Sequence, residues 1–562
     1  MATTSTPRSA ASGGLTVPDV DVLIIGAGIS GIGAACQLTQ KSPGRTFAVL
    51  ERREAIGGTW DLFRYPGIRC DSDMYTFGYS FRPWPSDEVL TDGESIRTYI
   101  ADTADHYGVT DHIRFGHRVL RASWSTADAC WTIEAELEAT GESVTLTASF
   151  LLSASGYYDY DSGYQPDFPG REDFTGTWVH PQFWPEDLDH SDRKVVVIGS
   201  GATAVTLIPA LAPDVERVTM LQRSPTYILT LPEVDPVSRA MRRLLPDDVV
   251  SHVTRLRNLS LQLALYGVSR RFPDTVRRVL LAQARVQLGP DVDMRHFTPD
   301  YDPWDQRLCV IPDGDLFRTI RRGEAEIATD RIDRITPDGI LLESGEHLDA
   351  DIIVSATGLN LQLFGGMDVL VDGEKVDSAS SLLHRSIMVS DVPNMAMVFG
   401  YVHVSWTRKA DLVGDYVCRV LNRMEELGMR QVTPRGARGQ ATDEPFLEMT
   451  SGYLARAADT LPKQGVALPW RNTHDVLHDW WNLRHGSLDD PSLAFTNPVA
   501  ASATGRGRVA SDTPFDALSV GAGAGHVGAG SGRRQRRAGL VPTAVALATA
   551  PLRIAAGVLA GR

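Results

Sequence analysis

The run DVLIIGAGISG at 21–31 returns, with substitutions, as KVVVIGSGATA at 194–204. Both runs carry Val and Ile without alternation, as a parallel strand covered on both faces does. Both break into a Gly-rich turn followed by Ala- and Leu-rich sequence compatible with a helix. A parallel strand needs a crossover to reach its neighbour, so the repeat predicts two βαβ units and an α/β chain with two Rossmann-like domains. In the first copy Gly26, Gly28 and Gly31 form GxGxxG. The first glycine permits the tight turn, the second lets backbone N–H groups approach a pyrophosphate, and the third lets helix and strand pack closely. The next strand, FAVLE, ends in Glu51. Its carboxylate accepts hydrogen bonds from both hydroxyls of an adenosine ribose and repels a 2′-phosphate. In the second copy Gly199, Gly201 and Ala204 form GxGxxA, and the following strand ends in Arg223 and Ser224. A guanidinium with a hydroxyl suits a 2′-phosphate, which favours NADP over NAD. Two such sites in one chain predict hydride transfer from nicotinamide to flavin, with FAD in the first turn and NADPH in the second.

The order of these units predicts an FAD-binding domain in two pieces, 19–160 and 346–498, with the NADP-binding domain inserted at 161–345. Segments between 236 and 290 repeat apolar residues at three and four with Arg between, a helical insertion placed to cover a cleft. The runs FLLSASGYY at 150–158 and DIIVSATG at 351–358 both close on small residues and Gly. They read as strand ends beside a cofactor, so the chain is expected to leave the first domain near 160 and re-enter it near 350. Residues 1–18 read as a loose tail without a secretory signal. Residues 499–562 read as a low-complexity tail, with RRQRR at 533–537 and an apolar stretch broken by Pro542, Pro551 and Arg553. That stretch is too interrupted to span a membrane; the tail is read as a disordered extension, with weak membrane-surface attachment as the alternative. A net charge of −15 excludes a general nucleic-acid partner. Five scattered cysteines without a CxxC pair suggest no disulfide framework, redox dithiol or metal site and fit a reducing cytoplasm. Self-association is left open.

Between the two turns lies FTGTWVHPQFWP, with Phe174, Gly176, His180, Trp184 and Pro185. This resembles the FxGxxxHxxxWP fingerprint of type I Baeyer-Villiger monooxygenases. A second family pattern, GGxWxxxxYPGxxxD, is matched by Gly57, Gly58, Trp60, Tyr65, Pro66, Gly67 and Asp71, and the similarity runs from about 20 to 495, nearest to the mycobacterial, ethionamide-activating branch. The resemblance implies flavin contacts from Ser30, Thr59, Trp60, Asp61, Leu62, Asp71 and Val119. It implies that Ser200, Gly201, Ala202, Thr203, Ala204, Val205 and Thr206 surround the second pyrophosphate, that Arg223 and Ser224 take the 2′-phosphate, and that Arg69 and Cys70 lie in a loop approaching the cofactor. It assigns Arg307, in PWDQRLC, as the cation that keeps a flavin peroxide anionic, with Asp71 as its pairing carboxylate. His180 and Trp184 are read as junction residues rather than catalysts. Gln306 stands where many relatives have Lys, which removes a second cation for the 2′-phosphate. No SWYxGxNxPGK-like segment occurs near the C-terminal end, although the nearest branch shares that departure. The implied activity is NADPH- and O2-dependent insertion of one oxygen into a small organic ketone to give an ester, with oxidation of sulfur-containing substrates beside it. An N- or S-oxidising flavin monooxygenase, a disulfide reductase and a non-catalytic flavin-fold protein are the rivals.

Overall fold

The computed structural model describes residues 17–447 and 452–498. Most of the N-terminal tail and all of 499–562, including the membrane-attachment reading, lie outside the described residues.

The opening strand Val20–Ile25 lies between Phe47–Leu50 and Ser143–Ser153, parallel to both. Its two faces feed different cores. Val22 and Ile24 pack under the helices Ile29–Lys41 and Thr407–Leu427, while Leu23 and Ile25 join Trp124 and Trp131 on the other side. This is why the strand reads as a continuous apolar run: neither face meets water. The sheet extends through antiparallel strands Cys130–Leu137 and His117–Ser125 to nine strands among the described residues.

A second sheet has five parallel strands in the order Glu326–Thr329, Arg217–Gln222, Lys194–Ile198, Ile352–Ser355, Thr177–Val179. One boundary differs from expectation. Ile352–Ser355, expected to open the second piece of the first domain near 350, is instead an inner strand of the second sheet, and the chain rejoins the first sheet only at Asp368–Val371. A strand buried at every position carries no mark of which parallel sheet it joins; pairing with Lys194–Ile198 decides it.

The two connections between the sheets pair with each other, Tyr158–Gly163 running antiparallel to Leu359–Leu361. Over this ribbon sits His180, with Nε2 3.2 Å from the Gly358 carbonyl and Nδ1 accepting from the Gln182 N–H. A Cβ on Gly163 would lie 2.0 Å from the His180 ring, so that glycine is what lets the histidine close on the crossing. The insertion forms the helices Pro236–Met241, Asp247–Arg271 and Pro273–Leu288.

Candidate functional site

Both Gly-rich turns adopt one geometry. Gly28 (φ −78°, ψ −175°) and Gly201 (φ −79°, ψ −173°) cap the helices that follow, and neither helix receives a side-chain cap, so the first N–H groups stay open to a phosphate. Gly26 has φ +102° and Gly199 φ +139°, and a Cβ on either would strike a backbone carbonyl oxygen, of Ala154 at 2.7 Å or Ala356 at 2.4 Å. Glycine is the residue those positions admit. A Cβ on Gly31 would lie 1.9 Å from the Gly26 oxygen.

The turns open into one continuous cleft of about 1110 Å³ between the ends of the two sheets, where ligands of open α/β sheets bind. Glu51 is buried at its edge, one carboxylate oxygen accepting from the Ala27 N–H at 2.7 Å and the other from the Arg53 N–H at 2.9 Å. Burial pushes its pKa above the usual carboxylate range, against the pull of those N–H groups.

Arg307 reaches the cleft and donates from Nη2 to Asp71 Oδ1 at 2.7 Å. The Asp71 charge holds the guanidinium more firmly protonated than a free arginine, outweighing desolvation. The Arg307 side chain remains 44% exposed while Asp71 is 20% exposed. The cation therefore stays accessible to whatever fills the cleft. Cys70 and Cys309 flank the pair, and burial pushes both thiols up to about 12. They are protonated and unreactive at neutral pH.

Among the expected cofactor residues, Gly26, Gly28, Ser30, Glu51, Thr59, Trp60, Arg69, Cys70, Asp71 and Val119 line the cleft, as do Gly199 through Thr203, Arg223 and Ser224. Gly31, Asp61, Leu62, Ala204, Val205 and Thr206 lie behind its wall. The Asp61 carboxylate is taken by Arg53 at 2.6 Å and by Arg64, and Leu62 is buried in the core of the second sheet. Thr206 is covered by the YPG turn: a Cβ on Gly67 would lie 3.1 Å from its carbonyl oxygen. Arg69 donates to Asp315 at 2.5 Å.

Three groups escaped the sequence reading. Tyr157 stacks on Trp406 at 5.0 Å and 19°, and the Trp406 indole N–H donates to Ser30 Oγ at 2.8 Å, forming an aromatic wall beside the first turn. Its traces are GYY at 156–158 and FGYVHVSW at 399–406, aromatics directly after strand ends. Buried Lys409 donates to Asp479 at 2.6 Å, and Asp479 also accepts from the hydroxyl of Tyr401, a cleft residue. Arg331 lines the cleft next to Arg223, because the strands ending in Gln222 and Thr329 are paired neighbours. Among the described residues neither guanidinium has a hydrogen-bonding or ion-pair partner. The intervening Asp330 carboxylate accepts from the backbone N–H groups of Arg331 and Ser344. Among the described residues there is no cluster of metal-binding side chains and no helix long and apolar enough to cross a membrane.

Residues 24–85 match the NAD(P)-binding Rossmann-like domain family. The chain is 50% identical over 478 residues to the "Probable FAD-binding monooxygenase AlmA" of Acinetobacter baylyi, covering 85% of this chain and 96% of that protein. It is 49% identical over 483 residues to the FAD-containing monooxygenase EthA of Mycobacterium tuberculosis, covering 86% and 98%. Among solved structures, oxidised steroid monooxygenase bound to NADP aligns with a TM-score of 0.67 at 22% identity, over 85% of this chain and 99% of that one. Cyclohexanone monooxygenase in its open form aligns with a TM-score of 0.61 at 21% identity, over 74% and 89%; these likenesses establish the shared fold. With two paired dinucleotide turns on one cleft and half-identity to such relatives along nearly their whole length, the chain belongs to the family of FAD-containing monooxygenases.

Proposed function

We propose that this monooxygenase takes a hydride from NADPH and inserts one atom of O2 into ketones to give esters, with oxidation of thioethers or thioamides in the same cleft. Arg307 carries the reading: a fixed cation, held by Asp71 yet open to the cleft, between the two turns. The residues of the first turn fit FAD, since three glycines leave a cradle that a Cβ would fill and Glu51 stands at the ribose position. When bound, that group accepts the hydride and activates O2.

The chain's own residues do the rest. Arg223 and Arg331 present two guanidinium groups at adjacent strand ends to a 2′-phosphate, which supplies the second cation that Gln306 does not. The wall of Tyr157 and Trp406 keeps water from one side of the cleft. Arg307 stabilises negative charge on the reacting oxygen and then on the substrate carbonyl oxygen, its donors preorganised by Asp71. The ketone reading also draws on the fold shared with a protein named cyclohexanone monooxygenase.

The test uses the purified holoenzyme with NADPH, air and cyclohexanone or thioanisole. Removing one preorganised donor costs about 10²–10³-fold in rate, so Arg307→Ala is expected to lose ester by that factor while NADPH still bleaches the flavin. Ester at normal yield from Arg307→Ala ends the assignment. Sulfoxide without any ester from the native enzyme would favour the N- or S-oxidising reading instead.

A further inference from the structure

Among the described residues no side chain of the insertion, 236–290, lines the cleft. The insertion reaches the site from behind. Leu259, Leu263, Tyr266 and Arg270 recur at four, three and four along the helix Asp247–Arg271, a single stripe on one face. Leu259 and Leu263 pack on Tyr401 and Val404. The Tyr266 ring stacks on His403 at 4.4 Å and 21° and meets Trp304 edge-on at 5.6 Å and 82°. Arg270 pairs with Asp305 at 2.9 Å.

Those contacts fall on two loops that do line the cleft. In the 399–406 loop Phe399, Tyr401, Val402 and Val404 face it while His403 turns away, and in the 301–307 loop Gln306 and Arg307 face it while Trp304 and Asp305 turn away. Tyr266 therefore touches the ring that each loop directs outward. Trp304 Nε1 and His403 Nδ1 are buried without hydrogen-bond partners, so at those atoms ring packing does the holding. Trp304 also has φ +74°, a conformation that a bulky residue keeps only when its surroundings impose it.

The same helix grips the other half of the ion pair. Asn258 donates to Asp73 at 2.9 Å, Gln262 donates to Thr76 at 3.2 Å, and Arg255 donates to the carbonyls of Gly78 and Tyr79 at 3.0 and 2.9 Å. All of these lie in the segment just after Asp71.

We propose that the helix Asp247–Arg271 is a clamp that holds Arg307 and Asp71 in register with the cleft, and that Tyr266 is the positioning residue through which it fixes the Arg307 loop. The inference rests on the role proposed for Arg307, and its test separates the two ideas. Amide hydrogen exchange of peptides covering 301–309 reads the clamp without any chemistry, and ester formed per NADPH consumed, with cyclohexanone, reads the consequence. A misplacement of about 1 Å costs up to about 10²-fold, so Tyr266→Leu is expected to raise exchange about tenfold and lower the ester-to-NADPH ratio about tenfold. The FAD content and the rate of flavin reduction stay at native values. Tyr266→Phe, which keeps the ring, restores both readouts. Unchanged exchange in Tyr266→Leu, faster exchange with an unchanged ratio, or a Phe variant as impaired as the Leu variant overturns the proposal. Should Tyr266→Leu fail to fold, Arg270→Ala, cut at the half-exposed end of the stripe, is expected to raise exchange about two- to threefold, and no rise there overturns it equally. Failure of the Arg307→Ala test would remove the function of the pair and leave the exchange result to stand or fall by itself.

Discussion

The two Gly-rich turns share a backbone and differ in what surrounds it. At the first, Gly28 faces Gly58, whose Cα would lie 3.4 Å from an added Cβ, Glu51 is buried and engaged by two N–H groups, and Trp406 bonds to Ser30. At the second, an added Cβ on Gly201 would meet nothing within 4 Å, and Arg223 and Arg331 stand exposed. One turn is walled in and its acid engaged by two N–H groups; the other is open, with two exposed guanidinium groups at its rim. The contrast fits a resident dinucleotide in the first and an exchanging one in the second, as a flavin enzyme reduced by a diffusing nicotinamide requires.

The sharpest way to break this comparison is Gly31→Ala. The new Cβ would sit 1.9 Å from the Gly26 carbonyl oxygen, backbone against backbone with no flexible side chain to yield. Overpacking of that kind costs about 1–3 kcal/mol and occasionally more, and the expected protein is colourless, with FAD lost and the melting temperature below native. A yellow, stable Gly31→Ala protein would mean that the first turn is not the walled site described.

Next in size is Arg223→Ala. Hydrogen bonds to a charged group are worth about 1.5–3 kcal/mol, so KM for NADPH should rise about ten- to a hundredfold while KM for NADH stays put. Arg331→Ala should do the same about fivefold, in keeping with the smaller worth of a single exposed charge contact. Equal losses with both nucleotides would deny that these cations read a 2′-phosphate.

Much of this contrast was legible in sequence because the turns are local: three glycines, a strand and the residue at the next strand's end specify the cradle within one βαβ unit. The helical insertion was legible for the same reason, its apolar period being a property of a few consecutive turns. What was not legible depends on pairing across the chain. Ile352–Ser355 looks the same in either sheet, and Arg331 becomes a neighbour of Arg223 only when two strands more than a hundred residues apart align. The Arg307–Asp71 pair came from resemblance, since nothing local joins residues so distant in sequence. A helix pattern reveals the insertion's apolar face and not which loops that face meets.

A smaller effect should appear with acid. Burial pushes His384 down to about 3 and His403 down to about 4, from an ordinary value of 6.5. Both are neutral in the fold, and in the unfolded chain they take up protons below pH 6.5. The unfolded state thus binds more protons between pH 6.5 and the folded values, and stability falls as pH drops through that window. Both histidines belong to the half that carries the first turn, so free-FAD fluorescence should rise as pH falls from 6.5 towards 4. Release that begins only well below pH 4 would show that these rings do not govern retention.

The smallest expected effect is at Gly201, the counterpart of Gly28. Its φ and ψ are ones that alanine adopts without strain, and open space surrounds the added methyl. Gly→Ala at such a site is neutral or stabilises by about 0.4–1 kcal/mol through the unfolded chain. Gly201→Ala should therefore keep its FAD and its melting temperature, and differ from the native enzyme only in a KM for NADPH raised a few-fold, because the methyl stands where a pyrophosphate must approach the helix N–H groups. Gly28→Ala, its methyl in van der Waals contact with the Gly58 Cα at 3.4 Å and standing where the other pyrophosphate must approach, should weaken FAD binding instead. If both substitutions act alike, on colour or on nicotinamide affinity, then the two turns are not divided between a resident and a visitor, and their different surroundings reflect packing alone.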